Sequence, residues 1–348
     1  MTQTLSIAFE ISRFVEIFAF AFAGFAMTMI MTPIYTTLAY KYMWWKKPRE
    51  SSVTGEKATM FNKLHAAKHR RNIPTMAGIV FVISVTLITL LANLSREQTW
   101  LLIVAFFAAG LVGLIDDIIN LRGNGKGAAG LPAKLKLGLI TGIALACSMY
   151  FYTKLDVDSI NVPFFGDLFL GWLVVPLFVF VIVATSNAVN ISDGLDGLAG
   201  GLASSAFGAY AIIAFVDQRY GVAAFCMTIL GALLSYTWFN IFPARFFMGD
   251  VGSFSLGMAL AVIAIITNTV FILPIIGIVF VAEAGSTIIQ VASKKLRNGK
   301  KIFKIAPVHH HFEALGWPET KVTMRFWVIG QVAALAGLVV YVLGVYGQ

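Results

Sequence analysis

Ten stretches of this chain are apolar and long enough to cross a bilayer as helices, and no soluble domain interrupts them. A helical crossing takes about 20 apolar residues, since each advances roughly 1.5 Å through a hydrocarbon core about 30 Å thick. The candidate spans lie at about 15–40, 73–94, 99–119, 135–153, 170–190, 197–216, 220–239, 251–268, 270–293 and 325–345. Only 12% of residues are charged and 58% are hydrophobic, against roughly a quarter and a half in soluble domains. The chain therefore reads as an all-α integral membrane protein, with residues 1–348 forming a single polytopic domain. The first apolar run continues far past signal-peptide length and has no small-residue cleavage site, so no cleaved leader is expected. Cys147 and Cys226 fall inside apolar runs and read as packing residues rather than a disulfide or metal pair.

Basic residues orient the bundle. Of 26 Lys and Arg, 22 lie in the connections that follow odd-numbered spans, and Arg13, Arg96, Lys154 and Arg219 lie on the other side. The positive-inside rule then puts both termini outside, facing the periplasm, and five loops in the cytoplasm. Asp116, Asp117, Asp193, Asp196 and Asp250 all fall at cytoplasmic ends of spans, beside those basic loops. Carboxylates at helix mouths ringed by cations suit a hard divalent cation holding an anionic, phosphorylated substrate. Glu283 alone lies within a span, the ninth, where it either pairs inside the bundle or lines a groove.

The densest polar stretch is Asn187-Ala-Val-Asn-Ile-Ser-Asp-Gly-Leu-Asp-Gly197. Its steps of three would put Asn187, Asn190, Asp193 and Asp196 on one side of a helical path. Facing lipid they would be costly, so water, metal or ligand is expected there. In Leu114-Ile-Asp-Asp-Ile-Ile-Asn120 the adjacent acids diverge by about 100° on a helix, which gives Asp116 and Asp117 different jobs. Asn120 is spaced to orient either one. In Phe247-Met-Gly-Asp-Val-Gly-Ser253, glycines permit close backbone approach and the helix start favours phosphate. Asp250 could be a simple cap there, but as a third acid it reads as a metal ligand.

Pro307-Val-His-His-His-Phe-Glu313 follows the basic run 294–304. Three consecutive histidines share no helix face and no zinc-protease pattern is present, so they read as donors to phosphate or sugar oxygens. The loop Gly123–Gly130 lacks the Lys-Ser or Lys-Thr of a nucleotide-hydrolase phosphate loop. Lys134 and Lys136 beyond it read as substrate contacts or as anchors for anionic headgroups. A second basic segment, Lys63–Arg71, leads into Pro74-Thr-Met-Ala-Gly78. Residues 154–169 read as a short outer hairpin without evident chemistry, and no feature points to nucleic acid.

Taken together, the motifs resemble those of the polyprenyl-phosphate N-acetylhexosamine-1-phosphate transferases, over nearly the whole chain and in the same order. Asp116-Asp-Ile-Ile-Asn120, Asn187-x-x-Asn190-x-x-Asp193-Gly-Leu-Asp196 and Gly249-Asp-Val-Gly-Ser253 are similar to motifs shared across that superfamily. The triple-histidine segment with Gly316-Trp317 is similar to its muramoyl branch. Lys68-His-Arg-Arg-Asn-Ile-Pro-Thr-Met-Ala-Gly78 departs from the usual pattern: Arg70, Asn72, Ile73 and Ala77 replace Lys, Gly, Thr and Gly. Arg70 keeps the charge without the compact ammonium.

The resemblance implies transfer of a phospho-N-acetylmuramoyl-pentapeptide from UDP to undecaprenyl phosphate at the bacterial inner membrane, giving lipid I and UMP. It implies Mg²⁺ on Asp250 with help from Asp117, Asp116 as base or positioner of the acceptor, and His309 among the catalytic groups. Arg70, Thr75, Asn120, Lys136, Asn187, Asn190, Asp193, Asp196, Gly249, Ser253, His310 and His311 would contact substrate. Asn240, Phe247 and Gln290 join them by family position, with Phe247 a candidate to stack on uracil. Partners on this reading are UDP-N-acetylmuramoyl-pentapeptide, undecaprenyl phosphate, membrane lipid and, as an open question, a second copy in a homodimer. A sister enzyme taking UDP-N-acetylglucosamine is opposed by the triple histidine. A transporter is opposed by acids gathered at one interface rather than at mid-membrane, with no inverted repeat of motifs.

Overall fold

The computed structural model describes residues 2–45, 71–95, 99–123 and 130–346. In chain order come α1 (Thr2–Lys41), α2 (Gly78–Ala92), α3 (Trp100–Arg122), α4 (Ala133–Lys154), strands β1 (Ser159–Val162) and β2 (Gly166–Phe169), and α5 (Val174–Ser192). They are followed by α6 (Leu198–Val216), α7 (Tyr220–Asn240), α8 (Gly249–Ile266), α9 (Leu273–Ile276), α10 (Ile278–Leu296), α11 (Val308–Ala314) and α12 (Glu319–Tyr346). Eight of these helices are long and apolar enough to cross a membrane: α1, α3 through α8, and α12.

The other two expected spans differ, each for a physical reason. Helix α2 has 15 residues, about 22 Å of rise. The chain before it is held by backbone bonds to residues 247–248 instead of being wound into another turn. The ninth stretch breaks at Gly277 into α9 and α10. Helix α10 turns Glu283, Ser286, Gln290 and Ser293 inward and leaves Ile278, Val281, Ile288 and Ile289 exposed. That is the amphipathic pattern of a soluble helix reversed, as suits a polar bundle interior with lipid outside.

Helix α8 is the axis of the molecule. It packs against α3, α5 and α2, and its side chains from Val251 to Ile265 are all buried. Small residues permit this. A Cβ on Gly113 of α3 would sit 2.2 Å from the Asp250 carbonyl oxygen, and one on Gly257 would sit 2.5 Å from Ser186 Cα. Between helices in lipid, such close packing replaces the hydrophobic driving force. The Ser255 hydroxyl also donates to the Phe106 carbonyl at 2.9 Å, across the α8–α3 seam.

The strands form the antiparallel hairpin that the sequence suggests, in register Ser159↔Phe169 to Val162↔Gly166. The Asn161 N–H donates to Asn268 Oδ1 at 2.8 Å, just past the end of α8. Asp250, in the first turn of α8, is therefore separated from the hairpin by the helix's length, about 25 Å.

Candidate functional site: three carboxylates and a histidine helix at one end of the bundle

Asp116 and Asp117 come from the last turns of α3 and Asp250 from the first turn of α8, brought together because Gly113 lets the two helices touch. Oxygens of the three carboxylates lie within 4.8 Å of one another. Opposite ligands of an octahedral Mg²⁺ are about 4.2 Å apart, so the donor set fits a small hard cation with little adjustment. Asp116 and Asp117 are buried, while the Asp250 side chain keeps 18% of its surface open.

Each acid is held differently. Asp117 Oδ2 accepts the Val251 N–H at 3.1 Å, so it faces the positive end of the α8 dipole. A Cβ on Gly249 would lie 2.4 Å from that oxygen, and the residue has φ +75°; glycine meets both demands. Asp116 Oδ1 accepts the Leu131 N–H at 2.8 Å. Lys136, near the start of α4, places its ammonium 2.7 Å from Asp250 Oδ2 and 3.0 Å from Asp116 Oδ2. Lys136 thus pairs with two of the three carboxylates, and a set of converging carboxylate oxygens suits a hard divalent cation.

Two backbone segments cross beside the acids. The Phe247 N–H donates to the Pro74 carbonyl at 2.8 Å, and the Ala77 N–H donates back to the Phe247 carbonyl at 3.0 Å. Thr75 is buried; its N–H donates to the Trp44 carbonyl and its own carbonyl accepts the Tyr35 hydroxyl at 2.6 Å. Phe247 itself is half-buried. From α5, Asn190 Nδ2 donates to Ser253 Oγ at 2.8 Å, and that hydroxyl donates to the Gly249 carbonyl at 3.2 Å. Asn187 donates to the Val183 carbonyl of its own helix. Asn120 is buried one turn beyond Asp116 and Asp117.

The expected shared face of Asn187, Asn190, Asp193 and Asp196 is not what forms. Helix α5 ends at Ser192, Asp193 occupies its C-cap, and the chain turns away before Asp196. Asp196 Oδ2 accepts the Ala244 N–H at 2.9 Å. Asn240 accepts the Gly197 N–H at 2.9 Å and donates to the Phe246 carbonyl at 2.8 Å. Gln290 accepts the Ile302 and Phe303 N–H groups at 3.0 and 3.1 Å and donates to the Phe303 carbonyl at 2.8 Å. Asp196 and Asn240 satisfy buried backbone groups of loops, which would otherwise be costly to enclose, and Gln290 ties down the partly buried 302–303 segment.

The histidines of α11 point three ways. His309 is buried with Nδ1 2.8 Å from Glu283 Oε2, and His310 Nδ1 is 2.7 Å from Glu313 Oε2. His311 Nδ1 accepts the Lys304 N–H at 3.1 Å. A Cβ on Gly194 would fall 2.3 Å from His309 Nε2, so His309 meets the loop that carries Asp193. Sequence reasoning left Glu283 either pairing inside the bundle or lining a groove, and it pairs, with His309. Sequence reasoning passed over Glu319, whose Oε1 accepts the Asp196 N–H at 2.7 Å. Arg70, with Lys63, His65, Lys68 and His69, lies outside the described residues.

Comparison with known proteins matches residues 99–268 to the family model described as Glycosyl transferase family 4. The chain is 41% identical over 297 residues to the phospho-N-acetylmuramoyl-pentapeptide-transferase of Thermodesulfovibrio yellowstonii, covering 79% of this chain and 81% of that one. It is 43% identical over 275 residues to the protein of the same name from Bacillus mycoides, covering 76% and 82%. With that of Syntrophus aciditrophicus the figures are 40% over 289 residues, covering 77% and 80%.

Proposed function

Because this chain belongs to the phospho-N-acetylmuramoyl-pentapeptide-transferase family, it is a phospho-sugar transferase of peptidoglycan synthesis, and we propose how its residues divide the work. The donor is UDP-N-acetylmuramoyl-pentapeptide and the acceptor undecaprenyl phosphate. An acceptor phosphate oxygen attacks the phosphorus next to the sugar, the bond from that phosphorus to UMP breaks, and lipid I and UMP result. The chain works as one polytopic unit in the bacterial inner membrane, in which α2 and α10 complete ten spans beside the eight long apolar helices, with both termini periplasmic and the acids at the cytoplasmic interface. There a lipid phosphate and a soluble nucleotide can meet.

The observation that carries this reading is the convergence of Asp116, Asp117 and Asp250, with oxygens within 4.8 Å, opposite Lys136. Phosphoryl transfer asks for positioning and charge neutralisation more than for covalent help. Asp250 and Asp117 would hold Mg²⁺, which would supply charge neutralisation to the substrate phosphates. Asp116, fastened by Lys136 and the Leu131 N–H, orients the acceptor. The second phosphate ionisation falls near pH 6, so proton removal at neutral pH adds little. Lys136, held between Asp116 and Asp250, supplies positive charge where the two substrates approach. Asn187, Asn190, Asp193 and Ser253 line the nucleotide side, and Phe247 offers a face for the uracil ring. His309 reaches phosphate or amino-sugar oxygens, while His310 and His311 hold their own segment.

Release of UMP from UDP-N-acetylmuramoyl-pentapeptide, measured against added undecaprenyl phosphate and Mg²⁺, tests the assignment. Activity with both and none with UDP-N-acetylglucosamine is expected. Equal turnover of the two nucleotide sugars would reject the muramoyl assignment. UMP exchange in the absence of acceptor would reject direct attack in favour of a phospho-sugar carried on an aspartate.

A further inference from the structure

We propose that Glu283 is a positioning residue for this transfer: it holds the His309 ring against Gly194, so that Nε2 is presented beside the Asp193 loop. The inference rests on the reading above that places His309 at the substrate. Glu283 is the sole acidic residue of α10, fully buried on a helix whose other buried polar groups are uncharged. An enclosed carboxylate is retained only against a closely matched partner, and His309 Nδ1 lies 2.8 Å from Glu283 Oε2. The Nδ1–Oε2 bond engages one ring nitrogen and so fixes Nε2 as the atom turned toward substrate oxygens, the same logic by which a carboxyl group orients a metal-bound or catalytic imidazole.

Two further contacts restrict the ring. His310 packs across it with centroids 4.1 Å apart and planes inclined at 64°, and is itself tied to Glu313 at 2.7 Å. Gly194 meets Nε2 so closely that any side chain there would collide with it. The ring is thus confined by α10, by its own helix and by the turn after α5. Glu283 acts through His309 and touches no substrate.

A double-mutant cycle on UMP release separates this role from simple gluing of α10 to α11. Glu283→Leu is expected to lower kcat about 10- to 100-fold, the usual effect of losing such a support, with KM changed far less. Glu283→Gln, whose amide oxygen still accepts from Nδ1, should retain kcat to within about tenfold of the parent. In a His309→Ala background, Glu283→Leu should change kcat by less than about twofold. If the same substitution instead multiplies the His309→Ala loss by its full factor, or leaves kcat unchanged in the parent, the proposal fails. Should Glu283→Leu not fold, Gly194→Ala gives the same reading from the other side of the ring: slow with His309 present, harmless beside His309→Ala. Undiminished kcat in His309→Ala alone would remove His309 from the substrate site, and this proposal with it; additive losses would overturn only the role of Glu283.

Discussion

The Lys136 ammonium lies 2.7 Å from Asp250 and 3.0 Å from Asp116, so a cation held by those carboxylates would have to compete with it for their oxygens. Lys136→Met removes the competitor and also the positive charge needed by phosphate. Two opposed effects follow: the Mg²⁺ concentration for half-activation should fall about tenfold, equivalent to about 1.4 kcal/mol, while kcat at saturating Mg²⁺ drops. A rise in the half-activation concentration would mean that Lys136 does not share the cation's ligands. Asp196 provides the contrasting case. Its carboxylate accepts the buried Ala244 N–H at 2.9 Å, a duty that an asparagine oxygen can perform. Asp196→Asn should therefore stay near parental stability, whereas Asp196→Ala orphans the N–H and should lower stability by about 1–3 kcal/mol. Thermal unfolding in detergent reads both.

At the scale of the element, the α3–α8 seam sets the distance between the acids. Gly113→Ala would drive a methyl group into the backbone of Asp250, 2.2 Å away. Backbone cannot swing aside, so overpacking of about 1–3 kcal/mol is expected, with loss of UMP release exceeding the loss of folded protein. Gly138→Ala on α4, where nothing lies within 4 Å, should leave both intact. If the two variants behave alike, the seam does not govern the site.

Much of this architecture was legible because apolar length and loop charge are properties of contiguous residues. So were the acid pairs, which sit at helix ends visible as boundaries between apolar and basic sequence. The break at Gly277 was not, because Gly277 lies inside the uninterrupted apolar run 270–282. Nor was the bracing role of Asp196, Asn240 and Gln290. A side chain's polarity marks it as needing a partner, but whether that partner is a ligand or a loop amide depends on the folded path. Glu283 and His309 are 26 residues apart, and only the return of α11 onto α10 makes them a pair.

For the whole molecule, the polar site and the β-hairpin lie at opposite ends of α8, so they should open to opposite sides of the membrane. Cysteine substitutions test this cleanly, since native Cys147 and Cys226 are buried. In intact cells, a membrane-impermeant maleimide should label Phe165→Cys on the exposed hairpin tip and spare Lys300→Cys until the membrane is opened. The reverse pattern would invert the orientation on which the meeting of lipid phosphate and nucleotide depends.

The central claim is that acids from α3 and α8 together form one divalent-cation site. Mn²⁺ binding to the purified protein, followed by electron paramagnetic resonance, addresses it without any substrate. The account predicts a bound ion in the parent and affinity weakened by about 10- to 100-fold or more in both Asp117→Asn and Asp250→Asn. Parental affinity in both variants would contradict it.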